Sequence, residues 1–429
     1  MKRILILIFV SITLHNPVFA LVAEKLNFEN HEVTKLEKDF FDDLDDGKLD
    51  KYTLIDAFVI ASGITNVSDF NLYKAQLQEI KNNAVNKIVF NKDPYITAKR
   101  ILFWLHDNVF GEYSFGSSYA DDIVNEKKFN CVSASIMYVI IAKDLGLDVV
   151  GVIVKDHAFC MLKDRRGNKD IETTIRYGFD PGTKEIEKLK EVTKYVYVPP
   201  KNYKKRRNVN EYQLIGVLYS NSIQKIGENL KESKEDLAKY KKGYYFDPKS
   251  KLFETDVIAC FNNLAIQQMD KGDFNSAYGF IRQGKKFLTN SKNFNKLEAQ
   301  YFNKKAEHAA SKENYPEALG FIRIGLSLNP KDKVLKNNLG FYFSEWAGTF
   351  FRNKEYSKAI DIYWAGLKEL PKDEVLLKNL RTSYYNMAIE EYNAQHFKNV
   401  IDIVDQALES FPNDEELLEI QQASRDMME

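Results

Sequence analysis

The chain has 429 residues, with 61 basic and 61 acidic side chains and a formal net charge of +0. That length exceeds one average domain, so about two or three are expected. The balanced charge supplies no long-range attraction to nucleic acid or an anionic membrane, and neither is expected as a partner.

Lys2 and Arg3 precede an apolar run from Ile4 to Leu14 that is broken by Ser11 and Thr13, and Val18-Phe19-Ala20 follows. A basic start, a short apolar run and small residues before a cut describe a secretory signal peptide, residues 1–20. The run is too short for a comfortable membrane span; left uncut, it would be an N-terminal anchor. No cysteine stands near the cut to carry a lipid, and no later segment reaches about eighteen apolar residues. The mature chain is expected to be exported, periplasmic or extracellular, without a membrane span.

Residues 31–129 read mostly as helix, most clearly at Lys99 to His106. Trp104 reads as core. His106 precedes the cysteine region and lacks an acidic neighbour at a productive spacing, which makes it structural. Asp42 to Asp50 resembles a calcium loop when Gly47 is aligned with that loop's glycine, with Asp42, Asp46 and Asp50 at ligand positions. Leu44 and Thr53 then occupy places that need oxygen ligands, so a solvated acidic turn is expected and no metal.

Asn130-Cys131-Val132-Ser133 opens a run whose apolar members Val132, Ile136, Val139, Ile140 and Leu145 recur at helical spacing, with Gly146 as the stop. Cys131 therefore sits at a helix N-terminus, where free backbone N–H groups and the dipole favour the thiolate, the nucleophilic form. A β-branched run, Val149 to Val154, comes next. His157 to Leu162 and Asp170 to Thr174 follow, separated by a turn at Lys163 to Asn168, so a meander of strands is expected. A histidine on the second strand can share a proton with the thiol, and a carboxylate on the next can orient the imidazole. The chain has only three cysteines, Cys131, Cys160 and Cys260, too few and odd in number for a disulfide framework. Cys160 falls on the strand face opposite His157 and reads as core. A zinc site from Cys131, His157 and Cys160 lacks the usual paired-ligand spacing, and no cofactor is expected.

The order Cys131, His157, Glu172, set in Asn-Cys-Val-Ser, Asp-His-Ala-Phe and Ile-Glu-Thr-Thr, resembles the bacterial transglutaminase-like superfamily over roughly residues 30 to 215. The resemblance implies an α+β papain-like domain, with a cysteine-bearing helix on an antiparallel sheet, working as protease, amidase or protein cross-linker. It implies Cys131 as nucleophile, His157 as general base and acid, and Glu172 as the orienting group. Glu172 stands where Asp is more familiar, and no Trp follows His157 as in many relatives. The N–H of Cys131 is the natural first oxyanion donor, and a second is sought in the loop Glu112 to Gly116.

Val198-Pro199-Pro200 through Arg207 reads as a basic connector, followed by a helix at Gln213 to Tyr219. Beyond it the chain repeats. Phe274, Tyr315, Tyr356 and Phe397 stand 41 residues apart, as do Ala265, Ala306, Ala347 and Ala388, then Ala277, Ala318, Ala359 and Val400, and Gly284, Gly325, Gly366 and Ala407. Pro330, Pro371 and Pro412 close the units, and Gly243 with Pro248 marks a degenerate fifth. Small residues at such positions let helices approach closely, as in tetratricopeptide-type pairs, whose usual period is about 34. The seven additional residues are two turns, assigned to the first helix, for example Val334 to Gly340. The domains are thus expected to be a signal peptide, 1–20; the transglutaminase-like domain, 21–215; and an all-α tetratricopeptide-type solenoid, 216–429. The functional expectation is an exported cysteine hydrolase or acyl transferase acting on peptide or protein amides, with the array binding substrate or a protein partner. The alternative is a non-catalytic interaction protein working through the array.

Overall fold

The computed structural model describes residues 32–155, 157–181, 205–221, 223, 227, 229–289 and 292–429. The expected signal segment and Val198 to Lys204 of the connector lie outside the described residues. Among the described residues no helix is long and apolar enough to cross a membrane. The chain divides into two compact units, Met1–Leu264 and Ala265–Glu429.

In the first unit, helices α1 (Lys35–Leu44) and α2 (Leu54–Ala61) each begin with a capping box, Thr34 with Glu37 and Thr53 with Asp56. The acidic segment between them is tied to its own backbone: the Asp43 carboxylate accepts the N–H groups of Lys51 and Tyr52 at 3.1 Å. Thr53, at the position that would need a bidentate Glu for calcium, is an N-cap instead. Helices α3 (Val67–Lys87) and α4 (Pro94–Asn108) follow. Then come β1 (Glu112–Tyr113), α5 (Ala120–Glu126) and β2 (Lys128–Phe129), with β1 and β2 paired in parallel.

Helix α6 (Cys131–Asp144) is the centre of this unit. Every residue from Val132 to Ala142 is buried, as a helix covered on all sides requires. It ends at Leu145, with Gly146 at φ 73°, the left-handed position glycine takes after a helix. Against it lies a four-stranded antiparallel sheet ordered β5-β4-β3-β6, from β3 (Val149–Val154), β4 (His157–Leu162), β5 (Lys169–Ile171) and β6 (Arg207–Val209). The register opposes Val154 to His157, Gly151 to Cys160 and Cys160 to Ile171, which sets the histidine at the tight end of the β3–β4 hairpin.

The change of module expected after residue 215 falls inside one continuous helix, α7 (Glu211–Asn221). Its apolar side, Leu214, Ile215, Leu218 and Tyr219, is buried, and α7 packs on α2, on α6 and on α8 (Leu230–Phe246). Gly216 permits the α7–α8 approach, since a Cβ there would lie 2.6 Å from Phe246 Cβ. The first compact unit therefore keeps this helix pair and runs on into α9 (Lys251–Asp270).

The second unit is a tetratricopeptide-like helical repeat. Its helices are α10 (Phe274–Phe287), α11 (Asn293–Ala310), α12 (Tyr315–Leu328), α13 (Lys333–Arg352), α14 (Tyr356–Glu369), α15 (Glu374–Asn393), α16 (Phe397–Leu408) and α17 (Glu415–Asp426). First helices of the pairs run 18 to 20 residues and second helices 12 to 14, so the additional residues of the period lie in the first helices. The glycine register has a physical meaning. A Cβ on Gly243, Gly284, Gly325 or Gly366 would meet the side chain ten residues on, Phe253, Phe294, Leu335 or Leu376 respectively. Gly243 makes the same contact as the other three, within the first unit. Asp332, Asp373 and Asp414, again 41 apart, each cap the helix that follows.

The turn inside each pair uses a left-handed residue at the same period: Gly272, Glu313, Lys354 and Gln395, at φ 76°, 57°, 61° and 62°. Only the first is glycine, and side chains there strain the backbone. Gln395 closes a Schellman motif in which His396 N–H reaches Glu391 O at 2.9 Å. Gln395→Gly is therefore expected to stabilise the second unit by about 1 kcal/mol, read as a raised urea midpoint at unchanged slope.

Candidate active site

Asn130 builds the end of α6 that presents Cys131. Its side-chain oxygen accepts from Val132 N–H at 3.0 Å and Ser133 N–H at 3.1 Å. Its amide nitrogen donates to Phe115 O at 3.0 Å and Ser118 Oγ at 2.6 Å. Ser133 Oγ donates to Ser117 O, and Asn221 of α7 donates to Ser118 Oγ at 2.6 Å. One cap residue thus spends its acceptor on the helix and its donors on the preceding loop, fixing both around the sulfur. Among the described residues no group accepts the N–H of Cys131, and the thiol is half-buried.

His157 and Glu172 come together with Cys131. His157 Nε2 and Glu172 Oε2 are 2.7 Å apart, both residues being 9% exposed. The Cys131 side chain is the ring's other polar neighbour, and both line the same cleft. The second carboxylate oxygen of Glu172 accepts from Thr174 Oγ1 at 2.7 Å and Thr174 N–H at 3.2 Å. Burial alone would strip the proton from His157; the Glu172 charge, then the influence of Cys131 and the bond to Glu172, outweigh it and hold the imidazole well above its ordinary pKa. Burial alone would likewise raise the Glu172 carboxyl, but the His157 charge and bond and those of Thr174 hold it below its ordinary value. The pair at neutral pH is imidazolium with carboxylate.

Neighbours position the triplet. Glu172 N–H donates to Gly178 O at 2.7 Å, and a Cβ on Gly178 would collide with the Glu172 carbonyl, so only glycine lets the chain close here. His106 Nε2 bonds Thr173 O at 3.1 Å, and burial lowers its pKa against that bond; it buttresses the segment that carries Glu172. Cys160 is fully buried with its thiol toward Ser135 O at 3.5 Å, and burial pushes that thiol up. Cys160 therefore faces α6.

Tyr113 is the neighbour that sequence reasoning placed only as a member of a loop. Its side chain lines the cleft beside Cys131; burial, then the charges of Cys131 and Glu172, keep the phenol protonated well above the ordinary range. The loop N–H groups of Glu112 and Ser114 are spent on Lys127 O and Phe129 O. No local signal marks Tyr113, because its side chain reaches the cleft beside Cys131 through the β1–β2 pairing.

Cys131 and His157 open into a cleft of about 460 Å³. Phe115 of the loop and Ile153 of the sheet are among its lining residues, as are Val217, Tyr240, Leu252 and Asp256 of α7, α8 and α9.

No family profile and no curated protein matches the chain. Among solved structures, similar ones include menin, in a crystal structure that reveals the binding site for Mixed Lineage Leukemia protein, at 10% identity over 87% of this chain and 89% of that chain, TM-score 0.33. Another is a STAND signal transduction ATPase with a tetratricopeptide repeat sensor from Pyrococcus horikoshii, at 14% identity over 88% and 62%, TM-score 0.20. A third is a human IFIT1 dimer with m7Gppp-AAAA, at 11% identity over 81% and 74%, TM-score 0.15. At these scores the likeness carries no argument, and the repeat architecture stands on the chain's own helix pairs.

Proposed function

We propose that the first unit is a papain-like, transglutaminase-like cysteine hydrolase or acyl transferase acting on amide bonds of peptides or proteins. The observation that carries this reading is the hydrogen-bonded chain from His157 to Glu172 and Thr174, set on the cleft that Cys131 also lines. In the proposed reaction the Cys131 thiolate attacks the carbonyl carbon, and the carbonyl electron pair moves to oxygen, which the free Cys131 N–H receives. Tyr113, which lines the same cleft, is the second donor. The C–N bond then breaks as the His157 imidazolium gives its proton to the departing amine, leaving a thioester. Water or another amine attacks that thioester while His157 takes its proton, and the sulfur leaves. Glu172 keeps the ring oriented and its charge stabilised throughout.

The array would serve this chemistry by binding substrate or a protein partner. A second reading, a non-catalytic interaction protein, draws on the array itself, which holds Trp346, Phe350 and Phe351 only partly buried and needs no chemistry to bind a chain. The alkylation rate of Cys131 by iodoacetamide against pH separates the two. Wild type is expected to react readily at pH 6.5, and His157→Ala about tenfold more slowly there, because the imidazolium no longer sits beside the sulfur. Equal rates in the two proteins would discard the enzyme reading and leave the array as the functional part.

A further inference from the structure

Each buried acid side chain among the described residues has a cationic partner. Glu37 pairs with Lys242, Asp56 with Lys74, Glu172 with His157, Asp247 with Arg207 and Glu298 with Lys285. Asp256 is less deeply placed than these five and has no such partner among the described residues. It is half-buried on α9 and lines the same cleft as Cys131 and His157, yet among the described residues no cation or hydrogen-bond donor reaches its carboxylate. Burial pushes its pKa up to about 6. A lone carboxylate withdrawn from water disfavours its own charge, and a cation entering the cleft would relieve that cost. Lys155, which also lines the cleft, is exposed and makes no ion pair with Asp256. The cleft is otherwise suited to an aliphatic stem, with Leu252 58% exposed and Phe115 59% exposed on its lining.

We propose that Asp256 is a specificity-determining residue that receives a primary ammonium on an aliphatic stem, presented by the substrate whose carbonyl Cys131 attacks or by the amine that accepts the acyl group. This rests on the reading of the cleft as the groove that serves Cys131. An ammonium held there would direct either a basic side chain of the acyl donor or an amine acceptor toward the thioester.

The test compares two thiol reagents on Cys131 in the full chain, cationic 2-aminoethyl methanethiosulfonate and neutral methyl methanethiosulfonate, with the modified peptide identified by mass. The ratio of cationic to neutral rate is expected to fall about fivefold in Asp256→Asn and to be kept in Asp256→Glu. An equal ratio in wild type and Asp256→Asn overturns the proposal, and so does a Cys131 that neither reagent modifies at pH 8.5, since such a cleft admits no ammonium. Being a ratio on one sulfur, the result survives a sluggish Cys131, whereas the iodoacetamide profile reads the His157 pairing with an uncharged reagent. The two readings can thus fail separately. A preference for N-tosyl-lysine chloromethyl ketone over its phenylalanine counterpart that is lost in Asp256→Asn assigns the ammonium to the acyl donor. An Asp256-dependent acceleration by cadaverine of acetyl release, after acetylation of Cys131 with p-nitrophenyl acetate, assigns it to the acceptor.

Discussion

Replacing Glu172 by alanine is expected to destabilise the first unit by about 3 kcal/mol at pH 6, the low end for breaking a buried ion pair, because His157 can release its proton once the carboxylate is gone. The effect is also expected to shrink as pH rises. His157 has a raised pKa, so its share of stability is complete below its ordinary value of 6.5 and is lost as pH climbs through the folded value. Glu172 has a lowered one, so its share is complete above its ordinary value of 4.5 and is lost as pH falls through the folded value. The pair contributes most between pH 4.5 and 6.5. Urea unfolding at pH 6 and in the alkaline range reads this through Trp104, the tryptophan of the first unit, after Trp346 and Trp364 of the second are changed to Phe. Equal midpoints for wild type and variant at pH 6 would mean that the pair is not formed in solution.

Gly366→Leu is expected to cost about 3 kcal/mol in the second unit. A Cβ at Gly366 would lie 2.9 Å from Leu376 Cδ1 and 3.0 Å from Phe343 Cγ, and a leucine adds three more carbons to that crowded space. Both neighbours are themselves buried, Leu376 fully and Phe343 to 1% exposure, so neither can swing into solvent. The helices must separate instead, losing contacts along the whole α14–α15 seam. Gly320, in a helix of the same kind but where a Cβ would meet nothing within 4 Å, carries no such restriction. Unfolding followed by Trp346 and Trp364 checks the difference, and a midpoint unchanged from wild type would show that the seam tolerates separation.

The parts of this protein legible in its sequence are those whose causes are local. A solenoid repeats the same contact, so glycine recurs at 284, 325 and 366 wherever a side chain ten residues on must pass close. Asn130 before Cys131, and Gly146 after α6, are short-range signals that bound a helix, and the hairpin register of His157 follows from alternation. The order of Cys131, His157 and Glu172, with the family resemblance, raises the expectation that the three meet, but the His157–Glu172 pairing itself exists only in the folded chain.

What tertiary structure alone decided is everything that depends on a distant partner. The apolar stripe of α7 says that the helix is buried but not against what, and its packing on α2, α6 and α8 carries the first compact unit to residue 264. Tyr113 reaches the cleft beside Cys131 because β1 pairs with β2, and Asp256 reaches it because α9 meets α8 at Phe253 and Gly243. In a sequence, one tyrosine in a loop and one aspartate in a helix look like ordinary polar surface. Their chemistry comes from burial and from which charges they face, and neither property exists until the chain has folded.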